Sequence, residues 1–149
     1  MGEDAKLYGV LIMEHFAVTV SKFLDKPYLL GGTGQIGFGC INFVYEFLRA
    51  RGADNIKTDV DGVNLENYPE FLRTATPDDI KERLFKAFDM NGERVPRPKT
   101  GDCLVLKSKE GSYFPAIYAG GKTVVSSFLD VGVKVTPLSY YKLIGAWRI

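Results

Sequence analysis

The chain has 149 residues, of which 46% are hydrophobic and 25% charged, and its formal net charge is +1. That length suits one domain with a sizeable core, and the charge leaves no basic surplus for a nucleic-acid backbone. Two cysteines, Cys40 and Cys103, without metal-ligand spacing, argue against a disulfide scaffold or a zinc site. Both are expected to be free thiols, and no metal or cofactor is implied. No apolar run reaches membrane-spanning length. Residues 7–20 are apolar but carry Glu14 and His15, and they lack a basic lead and a small-residue cleavage site. The chain is therefore expected to stay in the cytoplasm, or to be exported by a signal outside these residues.

In chain order, Met13, Phe16, Ala17, Val20, Phe23 and Leu24 form a stripe at helical spacing that Pro27 closes. His15, the sole histidine, lies about 140° from the centre of that stripe and is expected to face solvent. A Gly-rich stretch follows, with Gly31, Gly32, Gly34, Gly37 and Gly39 leading into Cys40. From Cys40 the apolar residues Phe43, Val44, Phe47 and Leu48 predict a helix, with Gly52 as its stop. A thiol at a helix N-terminus feels the positive end of the macrodipole, which favours a nucleophilic thiolate. The same position on the apolar face also suits a small buried residue.

Residues from Ala53 to about Ala75 read as polar and irregular. Thr76-Pro77-Asp78-Asp79 then supplies an N-cap, a first-turn proline and acidic residues for a helix carrying Ile80, Leu84, Ala87 and Phe88, ended near Asn91-Gly92. After Asp102 the period changes. CLVLK, SYFPAIYAG, KTVVSSF, GVKVTPL and LIGAWRI are short strand-like runs separated by turn residues. The expected fold is α+β, with helices packed on a five-stranded antiparallel sheet from Cys103 to Ile149.

Several pieces in this order carry a resemblance: Pro27-Tyr28, Gly31-Gly32, Gly37-Phe38 before Cys40, Gly101-Asp102, Ala116-Ile117-Tyr118, Val133 to Leu138, and Gly145-Ala146. Together they resemble the NlpC family of papain-like bacterial cysteine peptidases, which cleave peptide bonds in cell-wall peptidoglycan. The resemblance spans residues 1–149 as a single domain. The stretch from Cys40 to Gly101 is longer than in a minimal member, which implies a helical insertion around 53–98. The family pattern puts the nucleophile at Cys40, with Tyr28 lining the cleft. It requires a histidine where this chain has Phe114, and a third polar residue that falls on Val125 or Ser126. The nucleophile's flanks also differ, reading Gly39-Cys40-Ile41-Asn42 where the family has Asp-Cys-Ser-Gly.

A phenyl ring cannot accept a proton or orient a thiol. Tyr113 and Tyr118, with reference pKa near ~10, are poor bases at neutral pH. Pro115 cannot donate a ladder hydrogen bond, which predicts an edge or a bulge there. Asp102 suits either a family position at a strand start or a turn cap. The expected function is thus a catalytically inactive NlpC-like domain that binds through the former active-site cleft. Its partner would be a peptide, a peptidoglycan fragment or a protein. The alternative is an atypical cysteine amidase, peptidase or acyltransferase using Cys40, and a structural component on this fold is a third class.

Overall fold

The computed structural model describes residues 15–29 and 39–149. Met13 and the loop residues Gly31, Gly32, Gly34, Gly37 and Phe38 lie outside the described residues. Helix α1 is described over 15–23. Phe16, Thr19 and Val20 are buried and Phe23 half-buried, whereas Ala17 and Leu24 are exposed. The buried seam is narrower than the predicted stripe, and its aromatic contacts run to one neighbouring helix. That neighbour is α2 (Cys40–Ala50), where Phe47 packs on Phe16 with ring centroids 5.5 Å apart and Phe43 packs on Phe23 at 5.6 Å.

Helix α2 is the centre of the molecule. Phe43, Val44 and Phe47 are fully buried, as their spacing predicts, but so are Ile41, Asn42 and Tyr45 on the other sides. Its stop is a Schellman-type turn: Gly52 sits at φ 100°, its N–H donates to Arg49 O (3.0 Å), and Ala53 N–H donates to Leu48 O (3.0 Å).

The 53–75 stretch is not irregular throughout, because it contains the short helix α3 (Tyr68–Thr74). Two turns are too few to show a helical period in sequence. Asn64 and Asn67 prepare its start, with Asn64 Oδ1 accepting from Glu66 N and Asn67 N at 2.9 and 3.0 Å. Helix α4 (Pro77–Asn91) begins where the cap residues predict. Thr76 Oγ1 accepts from Asp79 N (3.1 Å) while Asp79 Oδ2 accepts from Thr76 N (3.0 Å), closing a reciprocal capping box. Leu84, Ala87 and Phe88 are buried, and Ile80 is half-buried. The helix also buries Arg83, whose guanidinium lies over Tyr68 and Phe71 at 5.3 and 5.9 Å.

Among the described residues the sheet has six antiparallel strands in the order β1-β6-β2-β3-β4-β5, one more than expected. The additional strand is β1 (Glu93–Arg94), which pairs Arg94 with Trp147 of β6 (Lys142–Arg148). Two residues cannot display alternation, so sequence could not reveal it. The others, β2 (Cys103–Lys107), β3 (Tyr113–Gly120), β4 (Thr123–Phe128) and β5 (Gly132–Pro137), lie where the runs predict. Cys103, Val105, Ile117, Val125 and Val133 face the helices. Leu104, Leu106, Ala116 and Val124 form a second cluster, packed with Phe114, Tyr118 and Tyr141.

Pro115 does not mark an edge strand, since β3 lies between β2 and β4. Its pairing with β4 begins only at Ile117, and the Pro115 carbonyl instead accepts a 2.8 Å hydrogen bond from Ser126 Oγ. The missing N–H thus falls where the ladder has opened. The outer edge of β5 is covered by the chain after α1: Asp25 N donates to Val133 O (3.0 Å) and Val133 N to Lys26 O (2.8 Å). Gly132, at φ 76°, permits this approach, because a Cβ there would overlap the Lys26 carbonyl. An Asp25–Lys134 ion pair holds the same contact from outside.

The capping box gives a direct check. Thr76→Ala is expected to lower stability by about 1 kcal/mol, read as a lower urea midpoint with an unchanged slope. An unchanged midpoint would mean that the box contributes nothing to folding.

Candidate functional site

Cys40 is the first residue of α2, and Gly39 before it is extended at φ −71° and ψ 161°. Its side chain opens into a cleft of about 690 Å³ bounded by Tyr28, the ends of β3, β4 and β5, and the two turns after β2 and β4. Phe114, Phe128 and Tyr141 form its aromatic wall. Phe114 meets Phe128 at 5.8 Å and Tyr141 at 5.1 Å, both edge-to-face, and Phe128 stacks on Tyr141 at 6.1 Å.

Two effects act on the Cys40 thiol in opposite directions. The N–H groups of Ile41 and of Cys40 itself, at the helix start, favour the thiolate, while burial disfavours it. Burial dominates and pushes the thiol from 9.0 up to about 11. The residue keeps partial exposure toward the cleft, but enough protein surrounds the sulfur to remove most of its hydration. Tyr28 is half-buried beside it, and burial, followed by the charge of the Cys40 thiolate, raises its phenol to about 12. Tyr68 of α3 is raised by the same two causes in the same order. Sequence reading missed Tyr68, whose helix was too short to detect.

The remaining candidates separate into those that reach the cleft and those that do not. Phe114 lines it together with Cys40. Val125 is fully buried against the helices, and Ser126 is fully buried and spent on the Pro115 carbonyl, so neither lines the cleft. The β4 side chains that do are Ser127 and Phe128. Ser112 and Thr136 add further hydroxyls, which carry no motif that sequence could signal. Tyr113 packs at the helix-facing side under Lys81 and Lys107, while the Tyr118 hydroxyl accepts from Lys122 N at 3.2 Å.

His15 is exposed, as its place on the wheel predicts, with Nδ1 3.4 Å from Arg51 Nη1. Arg51 caps the C-terminal end of α2, so the sole histidine stands at the opposite end of that helix from Cys40. Eleven helical residues span roughly 16 Å. Asp102 also belongs to that far end. Its buried carboxylate accepts from Lys99 N (2.7 Å) and from Arg148 Nε and Nη2 (3.1 and 2.8 Å). It therefore caps the turn and ties the start of β2 to the end of β6. Among the described residues no group of His, Cys, Asp and Glu converges in a metal-holding arrangement. Among them too, no helix is long and apolar enough to cross a membrane.

The NlpC/p60 domain of the peptidoglycan hydrolase SagA superposes on 92% of this chain and 98% of its own, with a TM-score of 0.61 and 21% identity. The fold is that of an NlpC/p60 domain. An NlpC/p60 family protein from Bacillus cereus ATCC 10987 matches 91% of the chain at a TM-score of 0.57 and 20% identity, and this chain spans 39% of that longer protein. No protein-family model matches the sequence, and a search of curated proteins finds no relative. Beyond the sequence resemblance, the NlpC/p60 likeness thus rests on three-dimensional structure.

The raised thiol has two consequences. Alkylation of Cys40 is expected to accelerate about tenfold per pH unit from 7 to 9, with no plateau; a plateau below pH 8 would show a stabilised thiolate. Because the folded thiol titrates above its ordinary 9.0, its contribution to stability is present below pH 9 and lost between 9 and about 11. Buried Cys103 and Tyr45 shift in the same direction and add to the loss. Urea midpoints should therefore fall across that window.

Proposed function

We propose that this chain is a catalytically inactive NlpC/p60-like domain that binds a ligand through the Cys40 cleft. One observation carries the reading: no imidazole accompanies the thiol. The motif position holds Phe114, and the sole histidine lies beyond the far end of α2. General-base assistance of the missing kind is typically worth ~10²–10⁴ in rate. A thiol raised to about 11 leaves about one molecule in ten thousand ionised at pH 7. Nor does Tyr28 supply a base, since its phenol is raised to about 12.

What remains is a concave, largely apolar surface with a few polar groups at its border, which suits binding. The SagA domain belongs to a peptidoglycan hydrolase, and on that likeness the ligand class is a peptide or peptidoglycan fragment. Residues 53–98, carrying α3 and α4, are read as an insertion relative to a minimal NlpC domain. It contributes Tyr68, whose phenol feels the Cys40 charge, and closes the core around Trp147, whose Nε1 donates to Asp89 Oδ1 at 2.7 Å.

The purified protein is expected not to hydrolyse muropeptides, and Cys40→Ala is expected to leave ligand binding unchanged. Phe114→His alone should remain inactive, because Val125 and Ser126 stay buried and no cleft residue from those positions orients the new ring. Turnover by the wild type that Cys40→Ala abolishes would overturn this reading in favour of a cysteine hydrolase.

A further inference from the structure

The cleft carries a one-sided charge. Among the described residues lining it, the charged side chains are Glu110, on the turn between β2 and β3, and Asp130, on the turn between β4 and β5. No lysine, arginine or histidine lines it, although the chain as a whole has 19 basic residues against 18 acidic ones. Both carboxylates are exposed, and neither has an ion-pair partner among the described residues.

The acidic border adjoins an unusually apolar surface. Leu129 and Val131, on either side of Asp130, are 74% and 56% exposed, and the Phe114–Phe128–Tyr141 wall continues inward from them. Exposed apolar side chains at a cleft mouth need an apolar occupant. A lipid surface is disfavoured, because anionic headgroups would meet two unpaired carboxylates. Aromatic faces and carboxylates together attract an ammonium group.

We infer that the cleft takes a peptide that carries an ammonium group next to an apolar side chain. The apolar part lies on the aromatic wall, and the ammonium group is held between Glu110 and Asp130. This rests on the cleft being the binding surface, as proposed above, and adds the chemistry of what it selects.

The test uses two peptides, acetyl-Phe-Lys-amide and the same peptide acetylated on the lysine Nζ. Binding is followed by NMR through the amide shifts of Ser112, Phe114 and Ser127. The charged peptide is expected to bind about fivefold more tightly, a preference that two exposed charge pairs can supply and that weakens as salt is raised. The exposed substitutions Glu110→Gln and Asp130→Asn together should abolish the preference while leaving the acetylated peptide's affinity unchanged. Equal affinity of the two peptides for the wild type would overturn the inference and leave the cleft as a binding surface. Shifts with neither peptide would overturn both.

Discussion

The structure depends on burying α2 on all but its Glu46–Arg49 face. Phe43, Val44 and Phe47 are fully enclosed between α1 and the sheet, and Tyr45 and Ile41 are enclosed on the remaining flanks. Truncating a buried phenylalanine of this kind costs about 3–5 kcal/mol, so the helix cannot rotate or slide without losing much of the core. Its first residue is then held where the ends of β3, β4 and β5 surround it. Cys40 occupies the cleft because the aromatic residues one and two turns later are fixed.

The same burial decides the chemistry. A helix N-terminus favours an anion by about 0.3–1 kcal/mol, less than one pKa unit. Packing close enough to hold α2 removes water from the sulfur and outweighs that gain, so the thiol is pushed up to about 11. In a cysteine hydrolase an imidazolium beside the sulfur reverses the balance. Here the cleft beside Cys40 carries an aromatic wall, with rings engaged with one another at 5.1 to 6.1 Å. The charged groups among its described lining residues, Glu110 and Asp130, are on turns at its border.

The far end of α2 is built on the opposite principle. Arg51, His15, Asp102 and Arg148 gather there, and the buried Asp102 carboxylate is satisfied by a backbone N–H and a two-point guanidinium contact. A fully partnered buried carboxylate fixes geometry, in this case the approach of β6 to β2. Thus the polar residues most suggestive of catalysis, a lone histidine and a buried aspartate, belong to the structural end of the helix.

Much of this was legible in the sequence. Strands β2 to β6 follow alternating runs between turn residues, α4 follows its cap, and α2 follows its apolar spacing and Gly52, because each is set by interactions within a few residues. Position on the helical wheel also told that His15 faces solvent. The sequence could not show β1 or α3, since two strand residues and seven helical ones are too short to display a period and are held by partners distant in the chain, Trp147 and the α2–α4 core. Nor could it show that Ser127, and neither Val125 nor Ser126, reaches the cleft. That depends on where the β3–β4 ladder opens beside Pro115, and ladder register is decided by both strands together. Residue identity determined that the chain has a single histidine, His15. Only tertiary packing decided how far burial raises that thiol, and that Glu110 and Asp130, twenty residues apart, border the same cleft.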